Sequence, residues 1–300
     1  MTPRITAAGM YDISAATYHA DPVPGGSLSS SGARKLLPPS CPAIFDHERR
    51  HGQQHRNVFD LGHAFHSDVL GVGAPVVVID ADNYNTKAAR AERDTAYADG
   101  KVPLLVPERA QVDAMTAAVR GHHITGPLFD LGRGLLPERS LFWRDDEFKV
   151  WRRAMLDGIL LPETTGDRLI VVDVKSCASA EPSAISKSMA KYGYYQQAPW
   201  YLDGCIACQL TGPQEPRFVF VFVEKNPPHV ITVVEPKDDD LTWGRIRNRK
   251  ALDVYRRCTE AGRWPGYADD VVTIGIPSWA EYQHQAAYDA GHYDITEEVA

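Results

Sequence analysis

The sequence has no long apolar run. Nothing in its 300 residues approaches the ~18 to 20 consecutive apolar residues of a membrane helix, so no membrane association is expected. The opening MTPRITAAGMYDISAATYHA lacks an apolar leader core, so a secretory signal is not expected and a cytoplasmic location is. Cysteine is sparse and odd in number: Cys41, Cys177, Cys205, Cys208 and Cys258. Five scattered cysteines argue against a disulfide scaffold and for reduced thiols. Cys205 and Cys208 alone have metal-like spacing, and a four-cysteine site would need Cys41 and Cys258 to converge on them. Small buried side chains on a helix are the simpler reading. Positive charge is also short: 32 Lys and Arg against 39 Asp and Glu give a formal net charge of −7. That disfavours a protein held to nucleic acid by bulk charge, while leaving room for a local basic channel. Internal repeats and low-complexity tracts are missing too.

What is present is a globular composition. Hydrophobic residues make up 44%, charged residues 24%, and the mean hydropathy is −0.31. A chain of this length can bury a sizeable core, in one large domain or two small ones.

Ser29 to Ser31 can cap a short helix that stops before Pro38 and Pro39. A second short helix is expected over 43–50, and another over 58–70, where Phe59, Gly62, Phe65, His66 and Val69 fall on related faces. PVVVID (75–80) reads as a strand. Segments 86–99 and 107–120 read as helices, the latter with Pro107 in its first turn. The centre is β-type: 140–143, 148–161 and 169–176, the last apolar almost throughout as a buried central strand should be. A long helix is expected over 182–210, kinked or broken at Pro199. RFVFVFVEK (217–225) and HVITVVE (229–235) form a hairpin. Asp238 to Asp240 can cap a final helix running to about Gly262, and the tail after Trp264 reads as irregular. The order predicts an α/β (α+β) fold with a mixed sheet flanked by helices. The expected organisation is an N-terminal arm (1–27), one domain (28–262) and a C-terminal tail (263–300).

The segment WRRAMLDGILLPETTGDRLIVVDVKS carries the chemistry. It sets Asp157 on one strand and Asp173-Val174-Lys175 on the next. Residues i and i+2 of a strand share a face, so Asp173 and Lys175 point the same way. If the two strands are neighbours, Asp157 lies beside Asp173. Two carboxylates and a lysine on a buried strand need compensation, and a hard divalent cation such as Mg²⁺ or Mn²⁺ supplies one form of it. For an isolated D-x-K the plainer reading is a structural ion pair. Three further features single this one out. Gly62-His63-Ala64-Phe65-His66 supplies an imidazole, Glu138 another carboxylate, and Tyr194, Gln197 and Tyr201 share one helical face.

The ordered set LGHAFH (61–66), ERSLFW (138–143), RRAMLD (152–157), VVDVKS (171–176) and YYQQAPWYLDG (194–204) resembles the PD-(D/E)XK nuclease superfamily, and within it the RecE-type exonuclease VIII group and its phage relatives. FVFVFVEKNPP also resembles phage members. The resemblance covers residues 28–257. It implies a restriction-endonuclease-like core and a metal site of His66, Asp157 and Asp173, with the Val174 carbonyl a further ligand. Lys175 would position or activate water, and Glu138 would act as an accessory acid. Gln197 and Tyr201, with Tyr194 beside them, would position DNA. His63 competes with His66, which is preferred for the G-x-x-x-H spacing. The proline that usually precedes the first Asp is replaced by Leu156.

Basic residues cluster locally: Arg245, Arg247, Arg249, Lys250, Arg256 and Arg257 on the last helix, Lys149, Arg152 and Arg153 beside Asp157, and Arg34 and Lys35 near the start. They read either as phosphate contacts, with Arg153 and Arg249 the named candidates, or as an ordinary solvated surface. Trp143, Trp151, Tyr195 and Trp200 can stack on a DNA end or belong to the core. The implied function is a metal-dependent double-strand DNA exonuclease, 5′ to 3′, exposing 3′ single strands for recombination. It would use Mg²⁺ or Mn²⁺, two ions per site, form a ring-like homo-oligomer on double-stranded DNA ends, and partner a RecT-type annealing protein in a bacterial host's cytoplasm. An endonuclease, a RecB-like single-strand nuclease, and a non-catalytic DNA-binding subunit are the alternatives.

Overall fold

The computed structural model describes residues 4–52, 60–164 and 166–294. In chain order the elements are β1 (Gly9–Tyr11), α1 (Ala15–His19), β2 (Leu28–Ser29), α2 (Ser30–Lys35), α3 (Pro42–His51), α4 (Asp60–Leu70), β3 (Val76–Ile79), α5 (Lys87–Ala98), β4 (Val102–Leu105), α6 (Val106–Gly121), α7 (Thr125–Leu128), β5 (Leu136–Arg144), β6 (Trp151–Leu160), β7 (Ile170–Cys177), α8 (Pro182–Tyr192), α9 (Tyr194–Ala207), β8 (Arg217–Glu224), β9 (Ile231–Val234), α10 (Asp238–Ala261) and α11 (Ser278–Asp289). The start of the helix expected from Val58 lies outside the described residues.

A mixed sheet runs β1-β5-β6-β7-β8-β9, with β2 also paired to β6, and β3 and β4 form a separate parallel pair. β7 and β8 are parallel, joined by a crossover through α8 and α9, while β5-β6, β6-β7 and β8-β9 are antiparallel. β8 shows why this sheet is covered on both faces. Phe218, Phe220 and Phe222 enter one buried layer with α2, α3, α8, α9 and α10. Val219, Val221 and Val223 enter the opposite layer with α4, α6 and β4. A strand apolar at every position is stable only between two such layers. Each phenylalanine buried this way contributes roughly 1.5 to 3 kcal/mol.

The N-terminal arm is built into the sheet. β1 pairs with β5, and Ile5, Tyr18 and Val23 pack on Phe142. Arg153 of β6 holds the arm through Asp21 (2.5 Å) and the Ser27 carbonyl (2.9 Å).

Three local expectations are corrected. The long helix over 182–210 divides at Gly193, whose φ of +69° is left-handed, and not at Pro199. A Cβ at residue 193 would also stand 2.7 Å from Arg34 Cδ, a side chain that can shift, so it is the left-handed backbone that favours glycine here. Pro199 sits inside α9 without breaking it. It leaves the Tyr195 carbonyl without its helical donor, and Gly244 of α10 packs directly over that carbonyl. At the start of α10, Asp238 to Asp240 form the first turn rather than the cap, where their charge favours the helix dipole. Finally, the tail expected to be irregular contains α11.

The α9–α10 crossing gives a direct test. A Cβ at residue 244 would lie 2.0 Å from the Tyr195 carbonyl oxygen. Gly244→Ala is expected to lower stability by about 1 to 3 kcal/mol, read as a shift in the urea midpoint with an unchanged slope.

Candidate active site

The site forms where two ladders stop. The β6–β7 pairing ends at Gly158 opposite Val172, and one further residue in the same register sets Asp157 opposite Asp173. The β5–β6 pairing holds at Pro137–Gly158 and Arg139–Leu156 but skips the residues between, Glu138 and Asp157. Three acids thus lie in one row across three strands. Glu138 has a φ of +46°, a strained conformation for a residue with a Cβ. Alternation also slips here: Leu156 and Ile159, three residues apart, enter the same buried layer.

The two aspartates take their partners from different elements. Asp157 faces α4, where His66 Nδ1 stands 3.4 Å from its Oδ2. Gly62, one helical turn earlier, faces Ser176 of β7, so the same side of α4 carries both. His63 lies near His19. Asp173 faces α9, where Gln197 donates its amide to Oδ2 at 2.7 Å. Between them, the Val174 N–H donates to Asp157 Oδ2 at 2.9 Å, replacing the lost ladder bond with a carboxylate. The N–H and C=O of a strand residue point the same way, so the Val174 carbonyl faces the same gap.

Lys175 Nζ lies 2.5 Å from Asp173 Oδ1 and 5.1 Å from the centre of the Tyr194 ring. Asp173 is fully buried, and its Oδ1 lacks a hydrogen bond of good geometry despite that neighbouring charge. Burial first, and then the facing Asp157, push its pKa up to about 6, against the opposing pull of Lys175. Burial and Asp157 likewise raise Glu138. For Lys175, burial opposes the charge, but Asp173 and Asp157 outweigh it, so the amine is held firmly protonated. Tyr201 is raised by burial and lies by Gln197. Gln197 and Tyr201 line a cleft of about 150 Å³ with Ser29, Ser31 and Arg34 of the α2 region and Tyr18 of the arm.

The structure therefore gathers His66, Glu138, Asp157, Asp173, Val174 and Lys175, with Gln197, Tyr194 and Tyr201 around them. Arg153 lies at the neighbouring arm contact, committed to Asp21 and Ser27. Arg249 lies elsewhere on α10, paired with Glu147 and 5.3 Å from the centre of the Phe148 ring. Trp143 and Trp200 are core, enclosing the Arg152 guanidinium at 4.7 and 4.0 Å. Sequence reading did not single out Tyr18 or Ser29 to Ser31 for this cleft. The serines carried only a capping signal and Tyr18 none.

The PDDEXK-like domain of unknown function (DUF3799) matches residues 29–274. The chain belongs to that family. The fold has a solved counterpart in a protein from Eubacterium rectale assigned as an exonuclease. It is 12% identical, with a TM-score of 0.55, covering 85% of this chain and 92% of that one. A phage-related exonuclease from Haemophilus somnus 129PT (12% identity, TM-score 0.31, 79% and 96% coverage) superposes too loosely to bear on the site. So does an alkaline exonuclease (LHK-Exo) from Laribacter hongkongensis (12%, 0.29, 88% and 94%). No curated protein matches the sequence.

A PDDEXK-like site implies a divalent metal. Among the described residues no three His, Cys, Asp or Glu side chains form a ready-made metal cage. Lys175 and Gln197 flank the Asp173 oxygens, and the Val174 N–H engages Asp157. The donors nonetheless fit a hard cation: two facing carboxylates, one with a buried oxygen lacking a hydrogen bond, beside an imidazole and a third acid.

A carboxyl with a folded pKa above its unfolded value binds its proton more tightly when folded. Metal-free stability should therefore fall as pH rises from about 4 through 6, and remain lower above that. Asp173→Asn removes this loss. In EDTA, its melting temperature relative to wild type is expected to rise from pH 4.5 to pH 7.5. Added Mg²⁺ or Mn²⁺ should stabilise the wild type more than the variant.

Proposed function

We propose that this member of the PDDEXK-like family is a divalent-metal-dependent deoxyribonuclease that degrades duplex DNA from its ends, 5′ to 3′, exposing 3′ single strands for recombination. The observation that carries this reading is the meeting of Asp157, Asp173 and Lys175 at the point where β6 and β7 part. A structural ion pair needs one acid for one lysine. Here a second aspartate faces the first, and Glu138 adds a third acid whose pKa is raised by Asp157.

Asp157 and Asp173 would hold Mg²⁺ or Mn²⁺, in one or two ions, with His66, Glu138 and the Val174 carbonyl as further donors. When bound, the metal supplies phosphate polarisation and a lowered pKa for water. The chain's own groups do the rest. Lys175 stays cationic and offsets charge on the phosphate. Gln197 orients the Asp173 carboxylate, and the Tyr194 ring stands against the Lys175 amine. Ser29, Ser31 and Arg34 offer donors to a strand entering the cleft beside Gln197. The same reading includes a ring-like homo-oligomer around the duplex, a RecT-type annealing protein as partner for the product strand, and a cytoplasmic location.

The test offers wild type and Asp173→Ala duplexes labelled at the 5′ or 3′ end, and closed circles, with Mg²⁺ or EDTA. Linear DNA should be lost with the 5′ label released first, and circles should survive. EDTA should abolish cutting, and Asp173→Ala should slow it by about 10³-fold, or ~4 kcal/mol. Cut circles would overturn end dependence. Binding without cutting under every divalent metal would instead establish a non-catalytic subunit.

A further inference from the structure

Beyond Trp264 the chain changes character. The Trp264 ring sits 5.4 Å from Phe45 and 5.8 Å from Tyr255, and the Ala43 N–H donates to the Pro265 carbonyl, so the chain is anchored at that point. It then leaves the body. Val271 is 94% exposed and Ile274 84%. The helix α11 that follows buries none of its residues. Trp279, Tyr282 and Ala286 stand at i, i+3 and i+7 on it, one face, with the two aromatics well exposed. The charge is of one sign: after Trp264 the sequence has seven Asp and Glu and no Lys or Arg. An aromatic helix left in water is unfavourable unless another surface covers it.

The body carries a matching surface. A groove of about 430 Å³ runs between the α2–α3 connection and α10. Its floor is apolar, formed by Leu37, Pro38, Val254 and Ala261, and its rim carries Lys250, Arg257 and Arg263. Lys250 and Arg257 share one carboxylate, Asp253, with Arg256, which also pairs with Glu260, while Arg263 pairs with Asp269 of the tail; four cations against three acids leave one positive charge in excess. An apolar floor with a basic rim suits an aromatic helix whose charged residues are all acidic.

We propose that α11 of one copy of this chain occupies the α10 groove of a second copy. The helix does not line its own groove, although its tether starts there at Arg263 and Pro265. The tether, residues 266–277, spans up to ~40 Å when extended, enough to reach across to a neighbour. Exchange of such an arm between copies is an economical route to assembly. Self-docking of the helix in its own groove is the competing outcome.

The test is the mass of the full chain by sedimentation equilibrium; it needs no nuclease activity, and the paired variants below separate this interface from the homo-oligomer of the proposed function. Wild type should associate at micromolar concentration. Trp279→Glu/Tyr282→Glu and Lys250→Glu/Arg257→Glu alter exposed residues, so circular dichroism should be unchanged while each weakens association at least tenfold. Mixed together, they should recover association, because each supplies the half the other lacks. A monomeric wild type would overturn the proposal in favour of self-docking. An assembly that neither variant weakens, or a mixture that stays dissociated, would overturn it as well.

Discussion

The architecture depends on a repulsion. Asp157 and Asp173 occupy directly opposed positions on adjacent strands, where like charges destabilise pairing. The ladder ends there, and the surroundings answer the repulsion from several directions. Lys175 stands against Asp173 from the same strand, Gln197 donates to it from α9, and Asp157 takes the Val174 N–H and the neighbourhood of His66. None of these partners removes the imbalance, and Asp173 retains a raised affinity for its proton. A site in this state is poised to accept positive charge. That links the backbone break to the chemistry proposed for it.

The second constraint is positional. Gln197 reaches Asp173 because α9 is pinned in depth and angle. Trp200 donates its indole N–H to the Arg153 carbonyl of β6, and Gly204 meets Trp143 so closely that a Cβ there would stand 2.8 Å away. Gly244 lets α10 press on α9 from behind at the carbonyl released by Pro199. These contacts are short and mostly apolar, so they tolerate little displacement.

The central elements were legible in the sequence because their pattern is local. An apolar run ending in D-x-K is a buried strand with two side chains on one face, and β7 is that strand. The α4 face carrying His66 followed from helical spacing, and the pairing of β6 with β7, a condition of the sequence reading, is met in the structure. What escaped depends on distant partners. β1 and β2 are three and two residues long and exist only because β5 and β6 offer edges. β4 has the composition of a helix lead-in and becomes a strand beside β3. The break at Gly193 rather than Pro199 was hidden because a helical proline is tolerable where a neighbouring glycine fills the gap. The site residues that sequence ordering placed together on β5, β6, β7 and α4 do converge, whereas Arg249, singled out by charge density alone, lies with Glu147. The tail beyond Trp264 holds a helix that polar composition concealed.

Glu138 carries one further consequence. Its backbone occupies a region that glycine enters freely and other residues enter at about 1 to 2 kcal/mol. A glycine there would relax the main chain and simultaneously delete one of the three acids in the row. Robustness of the fold and charge content of the site therefore pull in opposite directions at this residue. A variant library screened for thermal tolerance alone would drift toward losing the carboxylate, and one screened for cation affinity alone would retain the strain.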